Sequence, residues 1–332
     1  MGFVGRNHLH DVRHRGLAMA RKIVNTKEIS HEEWVQLRKK SLGGSDAAAC
    51  VNMNPYSGLL TLYSNKIGLS KDKEDNEAMR LGRDLEQYVA ERFTDKTAKK
   101  VRNDYFMYAD DDVEFLTANI DRRVVGENAG LECKTMGSFN GYNIEAGEIP
   151  SQYYAQCQHY MMVMGFDRVY LAILVLQRGL YTVEIERDDD FIKSLRAAEI
   201  AFWKGYVEPG IMPEPESESD FNTLKEIYPE AIPETEIVVP GLDHLIKDFK
   251  AYGELERQYR EKKLHVQSQI CAKLGKAEVG IGLQYECSWK NQSKSTVNTK
   301  KLKAAYPDIY NEIVEVSDYR VFRTKEIKRK EA

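Results

Sequence analysis

The stretch from residue 115 to residue 135 constrains the fold of this chain more than any other. Two runs with alternating side-chain character, Phe115–Val125 and Leu131–Thr135, flank a short segment that begins with Gly126 and ends with Gly130. Runs of this kind on both sides of a glycine-containing turn are typical of a β-hairpin. The sequence therefore predicts an antiparallel pair of strands here.

Three polar side chains are expected to meet on this hairpin. Side chains alternate between the two faces of a strand, so Glu132 and Lys134 share one face while Cys133 points to the other. Asp121, on the partner strand, can lie beside them, which brings two carboxylates and one ammonium together. The same spacing also occurs on strands that face solvent, where these groups form only a cross-strand salt bridge. That alternative stays open on the spacing alone.

The predicted cluster has the chemistry of a hydrolytic metal site. Carboxylate oxygens suit Mg²⁺, which keeps several waters and takes one or two protein carboxylates. A lysine beside them can orient or deprotonate a metal-bound water. A metal ion also offsets the charge of a phosphodiester and lowers the pKa of the attacking water. Phosphodiester hydrolysis is therefore the hypothesis that the cluster favours.

Helices and further strands accompany the hairpin. Apolar residues at helical spacing predict helices over residues 77–93 and 151–165, and a capping box of Ser30 and Glu33 begins another helix. The apolar run Val169–Leu176 is shorter than the roughly 18 residues that a membrane span needs and is typical of a buried strand. The expected fold class is α/β, with a mixed central sheet flanked by helices.

Polar residues on the two predicted flanking helices point to the same cluster. Gln156 and Tyr160 lie four residues apart on the second helix, where a buried amide invites a ligand. Gln152 lies one turn earlier, and we expect it to face solvent. Glu86 lies at the border of the apolar stripe of the first helix, from which it can point inward. These positions are equally compatible with ordinary exposed side chains. Assigning Gln156, Tyr160 and Glu86 to the site therefore depends on the predicted hairpin.

A further polar pair, Arg38 and Ser45, lies on the two sides of a Gly43-Gly44 turn. A guanidinium, a hydroxyl and the backbone N–H groups that follow the turn would together bind a terminal phosphate. Alternatively, Ser45 and Asp46 only cap the next helix while Arg38 extends into solvent. The residues themselves favour neither interpretation.

Composition and charge exclude several classes of protein. The 332 residues include 48 Lys and Arg against 52 Asp and Glu, so a polyanion would have to meet a local basic surface. No segment is apolar enough to cross a membrane, which predicts a soluble protein. The five cysteines are widely spread without a C-x-x-C pair, which is typical of reduced thiols in a cytoplasm and predicts no zinc or iron–sulfur site.

We expect four segments along the chain: a disordered extension, an α/β core, a linker or strap rich in proline and acidic residues, and a C-terminal appendage. They span residues 1–27, 28–215, 216–240 and 241–332. Within the extension, Met19 is the expected natural start. The appendage should contain a long amphipathic helix or a helical hairpin, followed by strands over residues 280–290 and 319–325.

The ordered motifs of the core resemble a known family. They are RKKSLGGSDAAA, the NPY turn, GRDLE, NID, LECKT and IPSQYYAQCQHYM, in this order along the chain. Together they resemble the YqaJ viral recombinase family, in the phage lambda exonuclease branch of the PD-(D/E)xK nucleases, over about residues 28–210. The ordered set is much more specific than any single motif. The proline of the PD-(D/E)xK name is absent before Asp121, where Asn119 and Ile120 stand.

The resemblance implies an active site on the hairpin of a PD-(D/E)xK core. Asp121 and Glu132 match the metal-binding acids of the family, and the carbonyl of Cys133 is an implied further ligand. Lys134 matches the catalytic lysine. Glu86 matches the helix-borne acid that binds the metal or orients its water.

The resemblance also implies residues that hold the substrate. Gln156 and Tyr160 match the Q-x-x-x-Y motif, which supports the lysine and the substrate. Arg38 and Ser45 match the pair that grips the 5′ phosphate of the strand being degraded.

The function implied by the resemblance is a 5′ to 3′ exonuclease that acts on double-stranded DNA ends with Mg²⁺, for which Mn²⁺ would substitute. A homo-oligomer, in the form of a trimeric ring, and delivery of single-stranded tails to a RecT/Bet-like single-strand-annealing recombinase are implied as well. The implied location is the cytoplasm of a bacterium that hosts a phage or prophage. Basic residues over 96–102 and 294–303 could line the ring, although each run is also typical of a solvated face.

Two rival functions stay open on the sequence. The same core could be an endonuclease of the repair or restriction type. Alternatively, the chain could bind DNA ends or a partner without catalysis, with the acids and the lysine as a structural ion-pair cluster. An iron–sulfur nuclease is disfavoured because the chain has no cysteine cluster.

Overall fold

The structure is a computed structural model of the chain. It describes residues 20–70, 75–138, 142, 144 and 147–326. The chain divides after Tyr228 into two compact units, which we call the core unit and the C-terminal unit and describe separately. Met19 and most of the predicted N-terminal extension lie outside the described residues.

The described part of the core unit alternates helices and strands. In chain order they are β1 (Arg21–Asn25), α1 (His31–Lys39), α2 (Gly44–Cys50), α3 (Leu59–Ile67), α4 (Glu77–Thr97), β2 (Val101–Asn103), β3 (Phe106–Ala109), β4 (Thr117–Ala118), β5 (Arg122–Val124), β6 (Ala129–Met136), α5 (Ser151–Met164), β7 (Arg168–Val175), β8 (Gly179–Glu186), α6 (Asp189–Phe202), a π-helical turn (Trp203–Val207) and α7 (Glu218–Ile227). The predicted capping box of α1 is present, since Ser30 and Glu33 each accept the other's backbone N–H.

A mixed five-stranded sheet forms the centre of the core unit, in the order β2-β5-β6-β7-β8. β6 and β7 run parallel, and the other neighbours are antiparallel. Leu131 and Tyr170 pack with Val89 and Phe93 of α4 on one face, whereas the apolar side chains of α5 cover the other. The expected α/β class with a mixed sheet between helices is confirmed. The central strands of the sheet are packed between two apolar layers.

The predicted hairpin is present as β5 and β6, but its first strand is shorter than expected. The run 115–125 divides into β4, which pairs with β3 in a second sheet of three strands, and β5. Ile120 lies between the two strands and packs over Gly130, where a Cβ atom would come within 2.9 Å of Ile120 Cγ1. At Ile120 the chain passes from the three-stranded sheet to the five-stranded sheet. Asp121 follows and comes directly before β5.

Two of the predicted boundaries differ from the structure. Residues 21–25, assigned to the disordered extension, form β1, which pairs with β3 and therefore belongs to the core unit. Residues 218–227, assigned to the linker or strap, form α7. The buried carboxylate of Asp220 accepts the backbone N–H of Thr61 at 2.9 Å, which fixes α7 to α3. Long-range hydrogen bonds of this kind leave no local trace in sequence.

The C-terminal unit contains α8 (Leu242–Leu274), the hairpin of β9 (Val279–Ile281) and β10 (Glu286–Ser288), α9 (Thr299–Ala305) and α10 (Pro307–Ile313). The predicted long helix is confirmed as one helix of 33 residues, of which none is buried.

The prediction of a strand over residues 319–325 is wrong. This segment has no strand partner among the residues that the structure describes, and Phe322 instead packs against Phe249 of α8 with the ring centroids 5.2 Å apart. In the part of the chain that the structure describes, no helix has the length and the apolar character to cross a membrane.

Candidate active site

The central strand β6 presents its polar side chains to α5. Leu131 and Cys133 pack in the apolar layer beneath α4, so the alternation of the strand turns Glu132 and Lys134 to the opposite face. Neighbouring β7 repeats this division, with Tyr170 toward α4 and Leu171 toward α5. The shared face that the sequence predicts for Glu132 and Lys134 is therefore confirmed.

Glu132 lies at the centre of the site, with 3% of the residue exposed. Its Oε1 accepts hydrogen bonds from Gln156 Nε2 at 2.7 Å and from Lys134 Nζ at 2.6 Å. Its Oε2 is buried without a hydrogen-bond partner among the described residues. An unpartnered buried carboxylate oxygen is costly and calls for an explanation such as an ion.

Asp121 joins this cluster from the neighbouring strand. Arg122 pairs with Leu131, and extending this antiparallel register by one residue puts Asp121 opposite Glu132. Asp121 Oδ2 accepts the backbone N–H of Cys133 at 2.8 Å. Burial and repulsion by the Glu132 and Glu86 carboxylates raise the pKa of Asp121 well above its ordinary value.

The backbone of Cys133 contributes a further oxygen on the same side. In an extended strand, the N–H and C=O groups of one residue point to the same edge. Because the Cys133 N–H points to Asp121, its carbonyl also lies on the edge of β6 that faces Asp121. Two carboxylates and one carbonyl are therefore available there as oxygen donors.

Lys134 remains a cation in this environment. Burial disfavours its charge, but the Glu132 and Asp121 carboxylates outweigh burial and raise the pKa of Lys134 above its ordinary value. Its ammonium also lies 5.3 Å from the centroid of the Tyr153 ring. A charged ammonium can orient a water or a phosphate oxygen by donating a hydrogen bond.

A hydrogen-bonded pair on α5 supports Glu132 from behind. Gln156 Nε2 bonds Glu132 Oε1 and the Tyr160 hydroxyl, the latter at 2.8 Å, and both side chains are buried. Helix α2 packs so closely on this pair that a Cβ atom on Gly44 would lie 2.6 Å from Tyr160 Cε1 and 3.2 Å from Gln156 Cγ. Gly44 is therefore required by the packing of the site, a role that the sequence does not reveal.

Glu86 lies near the cluster, where its carboxylate contributes to the raised pKa of Asp121, and it is paired with Arg122. Its Oε1 accepts a hydrogen bond from Arg122, whose guanidinium also donates to the backbone carbonyl of Asp121 at 2.7 Å. The guanidinium bonds Gln87 Oε1 as well, at 3.1 Å. Arg122, which the sequence analysis missed, thus fixes α4 to the chain at Asp121. Its position next to Asp121 in the sequence is the signal that could have indicated this role.

The structure brings Arg38 and Ser45 together at one end of the site. Arg38 donates to Ser45 Oγ at 2.6 Å, and its guanidinium lies 4.8 Å from the centroid of the Trp34 ring. Ser45 lies within α2, which begins at Gly44, and the Asp46 carboxylate accepts the N–H of Gly43, so Asp46 caps this helix as the sequence allows.

A buried ion pair supports this end of the site. Lys66 donates to Asp46 Oδ2 at 2.6 Å and to the Arg38 carbonyl at 2.9 Å. Both side chains are largely buried. Lys66 thereby connects α3 to the two segments that carry Arg38 and Ser45, and no local pattern in the sequence identifies it.

Other predicted positions have different surroundings. Gln152, expected in solvent, has its Oε1 buried without a partner among the described residues, which corrects that expectation. Two lysines of the run 96–102 are held locally, since Lys96 donates to the Leu180 carbonyl at 2.8 Å and Lys99 pairs with Glu127. Lys96 and Lys99 therefore each have a partner within the protein.

The donor set fits a divalent cation. The unpartnered Glu132 Oε2 and the raised pKa of Asp121 both reflect negative charge without a full counter-charge. In the described ranges, no group of three His, Cys, Asp or Glu side chains is arranged to hold a metal, and Glu86 is held by Arg122. Two carboxylates with the Cys133 carbonyl nevertheless match the requirement of Mg²⁺, which keeps several waters.

Fold and site together define an α/β protein whose central hairpin carries two acids and a lysine. Residues 33–167 match the model of the YqaJ-like viral recombinase domain. The chain is 33% identical over 317 residues to the uncharacterized protein YqaJ of Bacillus subtilis (strain 168), which covers 93% of this chain and 98% of that protein. The chain belongs to the YqaJ family.

Two solved structures resemble part of the chain. The alkaline exonuclease LHK-Exo from Laribacter hongkongensis is 20% identical, with 54% of this chain and 94% of that chain covered and a TM-score of 0.44. A phage-related exonuclease from Haemophilus somnus 129PT is 14% identical, with 51% and 94% covered and a TM-score of 0.42.

Proposed function

We propose that this protein is a Mg²⁺-dependent exonuclease that degrades one strand of duplex DNA from its 5′ end. The observation that carries the proposal is the buried Glu132 carboxylate, with one oxygen unpartnered, beside Asp121 and Lys134. A cluster whose carboxylate oxygens were all matched within the protein would leave no buried oxygen without a partner. The motifs shared with the YqaJ family support the same chemistry.

Each residue of the cluster has a defined task in this proposal. Asp121, Glu132 and the Cys133 carbonyl would hold Mg²⁺, for which Mn²⁺ would substitute. When bound, the ion would supply charge neutralisation at the scissile phosphate and a lower pKa of the attacking water. Lys134 orients that water or a phosphate oxygen by donating a hydrogen bond, from its position beside Glu132. Glu86, on the other side of Asp121, lies where it can orient a water.

Gln156 and Tyr160 position the catalytic acid in this proposal. Because Gln156 and Lys134 both bond Glu132 Oε1, the other oxygen of that carboxylate has no partner among the described residues and would be available for a metal. The Tyr160 hydroxyl fixes the amide of Gln156 in turn. Small displacements of a catalytic group reduce rates strongly, so this support contributes to activity.

The polarity of digestion rests on Arg38 and Ser45. A guanidinium and a hydroxyl 2.6 Å apart present several donors to a terminal phosphate, which binds such donors through charge-assisted hydrogen bonds. The product is a duplex with a 3′ single-stranded tail, the substrate of a RecT/Bet-like annealing recombinase. As in the family that the motifs resemble, the active form is a homo-oligomeric ring.

Linear duplexes that carry a label at either end test the polarity. In the presence of Mg²⁺ the 5′ label should be released first, and a 5′-phosphorylated duplex should be digested faster than a 5′-hydroxyl duplex. Arg38→Ala should remove the preference for the phosphate, whereas Arg92→Ala, which removes an exposed guanidinium of α4, should keep it. Equal rates on both duplexes with the unaltered protein would contradict the role of Arg38.

The two rival functions make different predictions in the same assay. An endonuclease would cut a covalently closed circle, which an exonuclease leaves intact. A protein that only binds DNA ends would release no label, with or without a divalent ion. Release from the linear duplex combined with an intact circle is the outcome that the proposal predicts.

A further inference from the structure

A cavity of about 600 Å³ adjoins the candidate active site. It lies between the edge of the five-stranded sheet and the three-stranded sheet, and Lys22, Arg102, Phe106 and Arg123 line it. We call it the side cavity. Residues 103–105 line both the side cavity and the cleft that contains Asp121, so the two spaces adjoin across this segment. Its volume is within the range of pockets that bind small ligands.

The side cavity carries excess positive charge. It is lined by three cations and one carboxylate, Asp104. Asp104 already accepts hydrogen bonds from Arg123 and from the Tyr108 hydroxyl, so its charge is matched. In the part of the chain that the structure describes, neither Lys22 nor Arg102 has a carboxylate within ion-pair distance. An anion would give both cations a partner.

The backbone register adds a second reason for an anion. Arg102 of β2 and Arg123 of β5 are directly paired across the two strands, so their side chains extend from the same face of the sheet. Like charges directly opposite each other in a sheet are destabilising. Asp104 compensates Arg123 only. A bound phosphate between the strands would remove the remaining repulsion.

Aromatic rings with adjacent cations line the path from the cleft to the side cavity. Tyr105 is 38% exposed, and the ammonium of Lys27 lies 3.7 Å from its ring centroid. Lys22 lies 4.0 Å from the centroid of the Phe106 ring. Sites for single-stranded nucleic acids combine these two features, because bases stack on aromatic faces while cations contact the phosphates.

We propose that the side cavity binds a nucleotide of a single DNA strand that continues from the catalytic cleft. The phosphate contacts Lys22 and Arg102, and the base stacks on Tyr105 or Phe106. This assignment rests on the proposed function, because the cleft is what delivers a separated strand to the cavity.

Binding of a fluorescent oligothymidylate, measured by anisotropy in EDTA to prevent cleavage, tests the electrostatic part. The variant Lys22→Ala/Arg102→Ala should bind on the order of tenfold more weakly at 0.1 M salt, and its slope of log K against log salt should be smaller by about 0.7, because one phosphate contacted on a single strand contributes about 0.7. Lys193→Ala/Lys225→Ala removes the same charge elsewhere on the core unit and should bind like the unaltered protein. Equal losses in both variants would overturn the assignment.

Photocrosslinking of the unaltered protein tests the stacking part without any variant. An oligonucleotide that contains 5-iododeoxyuridine crosslinks to aromatic rings on which the base stacks, and mass spectrometry should find the crosslink in the peptide with Tyr105 and Phe106. Crosslinks confined to other peptides would contradict the proposal. Because neither measurement requires hydrolysis, a chain that binds here but never cleaves DNA would refute only the proposed function.

Discussion

The close approach of α2 to α5 makes Gly44→Ala an informative perturbation. The new Cβ atom would lie 2.6 and 2.8 Å from two ring carbons of Tyr160 and 3.2 Å from Gln156 Cγ, so the buried pair that supports Glu132 must move. Overpacking of this kind costs about 1–3 kcal/mol, from which about 0.5–1 kcal/mol is recovered because alanine favours a helix more than glycine does. Because two of the contacts lie below 3.0 Å, the overpacking cost falls in the upper part of its range, and we expect a net destabilisation of about 1–2 kcal/mol.

Thermal unfolding followed by circular dichroism measures this effect. For a unit of this size, about 1–2 kcal/mol corresponds to a melting temperature that is lower by roughly 2–8 °C. Gly82→Ala is the matched control, because no atom lies within 4 Å of a Cβ at this position of α4. Gly82→Ala should therefore be neutral or stabilising, so the two substitutions are predicted to have opposite signs.

A double-mutant cycle identifies the cause of the destabilisation. Tyr160→Leu removes the ring carbons that the new Cβ would meet, so Gly44→Ala should cost much less in that background. The same cost in both backgrounds, or a Gly44→Ala protein that melts as high as Gly82→Ala, would refute the packing argument.

Three further predictions follow from other buried groups. Lys66→Met should lower the free energy of unfolding in urea by about 3–5 kcal/mol, because it leaves the Asp46 carboxylate buried without its cation, and adding Asp46→Asn should recover part of this loss. Burial lowers the pKa of His159, but attraction and hydrogen bonding by Glu199 outweigh burial and raise it, so the pair stabilises the fold fully below about pH 6.5 and loses that contribution as the pH rises through the folded-state pKa. In denaturation measured across this range, His159→Gln should remove that dependence; an unchanged pH profile would contradict the assignment. Mg²⁺ at a hundredfold excess over its Kd should stabilise the protein by about 2.7 kcal/mol in differential scanning fluorimetry, and an equal gain in Glu132→Gln would count against Glu132 as a ligand.

The parts of the site that the sequence predicts are those governed by local periodicity. Glu132 and Lys134 share a face because side chains alternate along any strand, and the hairpin turn fixes Asp121 opposite them. Gln156 and Tyr160 face the same direction because they are four residues apart on one helix. These relations depend on spacing alone, so one sequence is sufficient to derive them.

The parts that the sequence does not predict depend on contacts between distant segments. Arg122 bonds Glu86, which is 36 residues away, and thereby gives that acid a cationic partner. Lys66 reaches Asp46 from another helix, and Asp220 attaches α7 to α3 across 159 residues. β1 pairs with a strand some 80 residues later, which places it in the core unit. Such pairings are decided by packing, for which a linear pattern carries no signal.

In the proposed function, Asp121 and Glu132 hold a divalent ion with which the chain hydrolyses DNA. The direct measurement is the rate of nucleotide release from linear duplex DNA, in Mg²⁺ and in EDTA, by the unaltered protein and by Asp121→Asn, which keeps an acceptor for the Cys133 N–H but loses the charge. We predict release that requires Mg²⁺ and falls at least about a hundredfold in Asp121→Asn, since a catalytic metal contributes several kcal/mol. Release that persists in EDTA, or at an unchanged rate in the variant, would contradict the claim.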